Sequence, residues 1–173
     1  MMMKALEAGG LLVVTDAQRA ADEDNPKGYY ETERVKQLDK GDTTWVAEAQ
    51  GQVVKVISAL LEHLPPGYPY RVIFMQRAMP EVLASQKKML ERRGEPTDRV
   101  SDEELTRLFN KHLQKVETWL RAQPNFQVLY VDYNQMLADP LPFVRRVNQF
   151  LDGKLDEQRM AEVVDPALYR NRA

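Results

Sequence analysis

Apolar residues along the chain occur in two patterns, short continuous runs and longer stretches with helical spacing. The short runs are rich in β-branched, leucine and aromatic residues, which is typical of strands buried on both faces of a parallel sheet. They lie at residues 11–14, 53–57, 72–75 and 127–131. Lys55 interrupts the second run, and a buried lysine is costly unless its amine reaches water or an anion.

Helical patterns fill most of the chain between and after these runs. Pro80 and Glu81 suit the first turn of a helix after the third run, since proline needs no N–H there and glutamate complements the positive helix end. Ser101 followed by Glu104 forms a capping box before a long amphipathic helix. Helices are predicted at residues 1–7, 43–52, 58–64, 80–93, 101–122, 141–151 and 156–164. Strands alternating with helices predict a three-layer α/β domain with a mainly parallel sheet.

A polar stretch at residues 17–40 interrupts this alternation. We favour a solvated loop pinned by Tyr29 and Tyr30, because its Asn-Pro dipeptide and glycine already supply turn chemistry. The alternative is a substrate-side loop in which Glu31 makes a polar contact.

Composition narrows the class of protein. The chain has 173 residues, of which 43% are hydrophobic and 29% charged, and this is enough for one domain, residues 1–173, with a real core. The formal net charge of −2 argues against a nucleic-acid partner held by a general basic field, so any anion site must be local. The chain has no cysteine, and His63 and His112 share no ligand spacing, so no metal site is expected.

The sequence shows no apolar run of about 18 residues and no secretory signal. We therefore expect a soluble, cytoplasmic protein that has no membrane partner, and homo-oligomerisation is left open.

Candidate functional residues cluster at the predicted carboxyl ends of strands, where open α/β sheets bind ligands. They are Asp16, Lys55, Arg77, Ser85 and Tyr133. Arg77 lies in the turn after the third run, and Ser85 follows in the second turn of the next helix, so one anion could contact both. The alternative interpretation, a surface arginine and an ordinary helix serine, carries equal weight at this point.

Three runs resemble cytosolic-type sulfotransferases. The run RVIFMQRAMPEVLAS resembles the segment that binds the 3′-phosphate of the donor 3′-phosphoadenosine 5′-phosphosulfate (PAPS), which implies this role for Arg77 and Ser85. The run VVKVISALLEHLPP is similar to the family's lysine-containing strand and implies that Lys55 lies near the transferred sulfuryl group. The run LYVDYNQMLADP implies that Tyr133 lies beside the nucleotide. ADEDNPKGYYE and DPALYRNRA are similar to small bacterial sulfotransferase-like proteins, and the whole resemblance implies a P-loop NTPase-like fold.

The resemblance also implies an activity. A sulfuryl group would pass from PAPS to an alcohol or amine of a small molecule, glycan or peptide, leaving adenosine 3′,5′-bisphosphate and needing no metal. Many members carry a histidine base two residues after the lysine, where this chain has Ile57. Asp16 stands at a place comparable to the acidic base of other branches, and Glu31 is the second choice.

Members of the family open with a strand and a Gly-x-Pro-Arg-Ser-Gly-Thr type loop that cradles the 5′-phosphosulfate. This chain starts after that loop, so as given it is expected to be severely impaired or inactive. The alternative is a catalytically inactive remnant that binds a nucleotide or a partner. A P-loop phosphoryl-transfer enzyme is less well supported, because the chain has no Gly-Lys-Ser/Thr loop. Loss of a central strand would leave its neighbours unpaired, so we expect a sheet that is rearranged or completed by another chain.

Overall fold

A computed structural model describes residues 1–16 and 30–165. Most of the predicted polar loop and the C-terminal tail, residues 17–29 and 166–173, lie outside the described residues. The elements in order are α1 (Met2–Ala8), 3₁₀ helices at Glu33–Lys40, Thr44–Val46 and Ser58–His63, β1 (Tyr70–Gln76), α2 (Met79–Arg92), α3 (Asp102–Ala122), β2 (Phe126–Asp132), α4 (Tyr133–Ala138), α5 (Pro140–Phe150) and α6 (Glu157–Glu162).

The sheet of the described chain consists of β1 and β2, which pair in parallel from Tyr70 opposite Phe126 to Gln76 opposite Asp132. These strands confirm the apolar runs at 72–75 and 127–131 and extend each by a few residues. The molecule is therefore a mixed α/β protein with a small parallel sheet.

The other two predicted strands, 11–14 and 53–57, are wrong as strands. They meet in one isolated parallel bridge between Val13 and Val53, with hydrogen bonds from Val14 N–H to the Val53 carbonyl at 2.9 Å and from Val53 N–H to the Leu12 carbonyl at 2.8 Å. An apolar run predicts which residues favour burial, but a ladder also needs a neighbouring strand. Leu12 and Ile57 are consequently 72% and 58% exposed.

Helix boundaries follow the sequence signals closely where caps are strong. Ser101 Oγ accepts the Glu104 N–H at 3.2 Å and begins α3, as the capping box predicts. Where the signals are weak, the structure differs: the helices expected at 43–52 and 58–64 are short 3₁₀ helices, and the polar loop contains another. The short helix α4 was not predicted; Asp132 begins it by accepting the Gln135 N–H at 2.8 Å.

Alternate residues of β1 contact helices on opposite sides of the sheet, as side chains of a strand must. Val72 and Phe74 pack in a cluster with α3, whereas Ile73 and Met75 pack in a cluster formed by α1, α4, α5 and α6. Phe74 is nevertheless the one residue of β1 that is buried. The sequence predicted burial on both faces, so β1 is more open than its composition suggests.

The second edge of β1 accounts for this openness. Tyr70 N–H donates to the Asn125 carbonyl on the β2 side, so the backbone groups of Arg71, Ile73 and Met75 point to the opposite edge. Within the described chain no strand lies beside that edge. The structure leaves a cleft there.

Candidate functional site

A cleft of about 1610 Å³ runs along the open edge of β1. Its walls are formed by α1, the extended segment around residues 53–56, β1 and α2. Four predicted site residues line it: Lys55, Arg77, Ser85 and Tyr133. The structure thus brings together side chains that are up to 78 positions apart in the chain. Asp16, the fifth, is not among the lining residues.

The charge of the cleft differs from that of the whole chain. Among the residues that the structure describes, the lining includes six basic and two acidic residues. The basic residues are Lys4, Lys55, Arg71, Arg77, Lys88 and Arg92; the acidic residues are Asp152 and Asp165. A concave surface with an excess of cations concentrates anionic ligands even in a protein of net charge −2. The local anion site predicted from the sequence has a physical basis here.

Methionine supplies much of the apolar part of the lining. Met1, Met2, Met3, Met75 and Met89 all contribute, out of eight methionines in the chain. Met2 and Met3 lie in α1 and Met1 is its N-cap, so the first helix is also a wall of the cleft.

Arg77 lies between β1 and α2 and is held from two directions. Its Nε donates to Glu81 Oε2 at 2.8 Å, and its guanidinium carbon lies 5.0 Å from the centre of the Tyr133 ring. Glu81 is 4% exposed and also accepts a hydrogen bond from Asn134 Nδ2. Ser85 is half-buried in the second turn of α2 and faces the same cleft.

Lys55 is paired with an acidic side chain. Its Nζ donates to Glu31 Oε1 at 3.0 Å, and 40% of the lysine side chain is exposed. A lysine in this run was expected to need water or an anion, and the carboxylate of Glu31, 24 residues away, supplies the anion. No local spacing signalled this contact.

Asp16 lies close to this pair without lining the cleft. Its Oδ2 accepts the Glu33 N–H at 2.6 Å, and its own N–H donates to the Glu31 carbonyl at 3.3 Å. Its carboxylate thereby holds the start of the 3₁₀ helix Glu33–Lys40. The role of Asp16 as a base stays a prediction.

Two further polar pairs tie the cleft walls together. Tyr30 Oη donates to Glu7 Oε2 at 2.5 Å, and burial together with this bond raises the pKa of Tyr30 to about 12. Arg71 lies 2.7 Å from Asp152, and the hydrogen bond between them holds the pKa of the Asp152 carboxyl below its usual range. Both pairs join segments that are distant in sequence.

Ser58 and His112 form a hydrogen bond 2.9 Å long, in which Ser58 lines the cleft. The bond connects the 3₁₀ helix Ser58–His63 to α3. No role is predicted for His112, and the 54 positions between the two residues offer no signal for the contact.

Glu81 is the residue that sequence reasoning came closest to finding. Its place after Pro80 predicts a role at the helix end alone, yet it also lies four residues after Arg77, which is the spacing of ion pairs in a helix. Its burial was not predictable, because it depends on Asn134 and on the packing of α4.

The described part of the chain contains no group of three or more metal-ligating residues. No helix in the same residues has the length and apolar character needed to cross a membrane.

A family model described as Sulfotransferase domain matches residues 75–171, which is more than half of the chain. Arg77, Ser85 and Tyr133 fall within the matched residues, whereas Asp16 and Lys55 precede them. No curated protein and no solved structure matches the chain.

Proposed function

We propose, because the chain belongs to the sulfotransferase domain family, that its cleft binds PAPS and serves sulfuryl transfer to an alcohol or amine acceptor. The observation that carries the proposal is the meeting of Lys55, Arg77, Ser85 and Tyr133 in one cationic cleft. The acceptor would be a small molecule or a hydroxyl or amine of a glycan or peptide.

Three residues of the cleft lining fit the nucleotide part of this donor. Arg77 offers a planar cation for a phosphate. Ser85 offers a hydroxyl from α2, whose N-terminus carries the positive end of the helix dipole. Tyr133 presents a ring next to Arg77. These three residues would bind the 3′-phosphate and its nucleoside.

Lys55 in the lining, with the acidic residues near it, suits the transferred group. Bound PAPS would supply the sulfuryl group that moves to an acceptor oxygen or nitrogen. Lys55 would stabilise negative charge that develops on that group, with Glu31 holding its amine. Asp16 is proposed as the base that takes the acceptor proton, and Glu31, which already contacts the lysine, is the second choice.

A second candidate function is nucleotide binding without transfer, and one observation favours it. The two strand-to-helix turns of the described chain, after β1 and after β2, contain no glycine, so neither forms a glycine-rich phosphate cradle. Gly9 does not supply one either, because it packs directly on Met160 at the end of α1. In this interpretation Arg77 and Ser85 still bind the 3′-phosphate, but no sulfuryl group is transferred.

Binding of adenosine 3′,5′-bisphosphate tests the premise that both functions share. A ligand at 100 times its Kd stabilises the folded state by ~2.7 kcal/mol, which corresponds to a Tm increase of about 5–10 °C in a chain of this length. Arg77→Ala should lose most of the increase. Arg107→Ala is the matched control, since Arg107 pairs with Glu104 on the surface of α3. An unchanged Tm of the wild type at high ligand concentration would contradict the proposal.

Transfer and binding are then separated by assay. Incubation with PAPS and a panel of alcohols and amines should release the bisphosphate if transfer occurs. Asp16→Asn and Glu31→Gln identify the base. Replacement of the residue that takes the proton should lower kcat and have little effect on nucleotide affinity. Binding without any acceptor-dependent release favours the second candidate.

A further inference from the structure

Glu81 is a buried charged group to which the proposed chemistry gives no role. It is 4% exposed in the first turn of α2 and does not line the cleft. A buried carboxylate is costly unless charge and hydrogen bonds compensate it. Its Oε2 accepts from Arg77 Nε at 2.8 Å, and its Oε1 accepts from Asn134 Nδ2. The carboxylate therefore ties the turn after β1 to the beginning of α4.

These contacts restrict the guanidinium of Arg77. Glu81 accepts from the Nε–H, which lies in the guanidinium plane, and the guanidinium carbon lies over the Tyr133 ring, 5.0 Å from its centre. A guanidinium has five N–H donors in a rigid fork, and the bond to Glu81 uses the one on Nε. The four donors on the Nη nitrogens are thereby held in one orientation.

We propose that Glu81 is a positioning residue for Arg77, which fixes the guanidinium so that it recognises the 3′-phosphate of a nucleotide in the cleft. The inference rests on the proposed function, because it takes the nucleotide site at Arg77 as its premise. An arginine fixed before binding loses less rotamer freedom when the ligand arrives. The negative charge of Glu81 also weakens attraction for anions in general, so its effect is on discrimination between ligands rather than on overall affinity.

The discrimination can be measured by calorimetric titration of the full chain with adenosine 3′,5′-bisphosphate and with adenosine 5′-monophosphate. The ratio of the two Kd values reports what the 3′-phosphate contributes. Glu81→Gln keeps the size of the side chain and removes its charge, and we expect it to reduce this ratio about tenfold. Glu81→Asp retains the charge but withdraws it by one methylene, and it should give an intermediate ratio.

Two controls separate positioning from a general structural effect. Arg77→Ala should remove most of the discrimination, and adding Glu81→Gln to it should reduce the ratio no further, because a positioning residue acts only through its target. Glu104→Gln removes a comparable glutamate from an exposed pair with Arg107 and should leave both Kd values unchanged.

The outcomes distinguish failure of the inference from failure of its premise. A wild type that shows no preference for the bisphosphate refutes the proposed function. A wild type with that preference, and a folded Glu81→Gln variant that keeps it, overturns the role of Glu81 alone. The role is equally overturned if Glu81→Gln weakens both ligands by the same factor. If Glu81→Gln does not fold, Glu81→Asp decides, and an unchanged ratio rejects positioning.

Discussion

Replacing Gly9 with alanine tests the packing of α1, the helix that closes one side of the cleft. Gly9 ends α1 with φ −72° and ψ −8°, a conformation that alanine adopts without strain. A Cβ at this position would lie 2.8 Å from Met160 Cγ and 2.9 Å from its Sδ. Met160 is fully buried at the centre of the cluster that α1 shares with α6. The added methyl group therefore has no space unless Met160 or the helix moves.

Two effects of opposite sign decide the size of the change. Overpacking a core costs about 1–3 kcal/mol, whereas glycine to alanine stabilises by about 0.4–1 kcal/mol through the unfolded chain. We expect Gly9→Ala to be destabilised by about 1–2 kcal/mol, which lowers the Tm by about 2–8 °C. Thermal unfolding followed by circular dichroism measures it.

Gly67→Ala is the matched control, because a Cβ there meets no atom within 4 Å. It should be neutral or slightly stabilised. Met160→Ala alone should cost about 2–5 kcal/mol, but in combination with Gly9→Ala the cost should fall below the sum, since the new methyl group fills part of the cavity. A Gly9→Ala protein as stable as the wild type would refute the packing argument.

Two further predictions concern residues that line the cleft, and a third concerns an exposed leucine outside its lining. Tyr30→Phe removes the bond to Glu7 and should lower the free energy of unfolding by about 1 kcal/mol. Because the pKa of Tyr30 is raised, this stabilisation is present below pH ~10 and is lost as the pH rises towards about 12. The Tm of the variant should therefore fall less than that of the wild type over this alkaline range. Arg71 lowers the pKa of Asp152, so their pair stabilises the fold above pH ~3.9, and this stabilisation is lost as the pH falls through the lower folded pKa. In Asp152→Asn the Tm should therefore fall less on acidification than in the wild type. Asparagine tolerates the positive φ of 73° at this position. Leu12→Lys, at a site 72% exposed, should leave the Tm in thermal unfolding nearly unchanged.

Long helices were the most predictable part of the fold. In α3, apolar spacing, the Ser101 cap and the acidic first turn all indicate the same element, and the structure begins it where the cap predicts. Strands were less predictable, because the runs at 11–14 and 53–57 have the composition of buried strands but meet in a single bridge. Composition reports a preference for burial, and pairing depends on what lies alongside.

The candidate site shows the same division between local and distant information. Arg77 and Ser85 were found because a strand, a turn and a helix follow one another in the chain. Glu31 was expected as a polar contact from the loop and as the second choice for the base. Its pairing with Lys55 was not predicted, because that contact spans 24 positions of the chain. Sequence patterns thus locate groups at element ends, while the partners of those groups come from tertiary packing.

The five methionines in the lining of the cleft have a consequence for its response to oxidants. Methionine is unbranched and deformable, so walls built from it repack around guests of different shape at small cost. Oxidation to the sulfoxide would make the same walls polar and stiffer in their packing. Met2 is largely protected by burial, whereas Met1, Met3, Met75 and Met89 are only half-buried. The surface that adapts most readily to a ligand is therefore also open to alteration by peroxide.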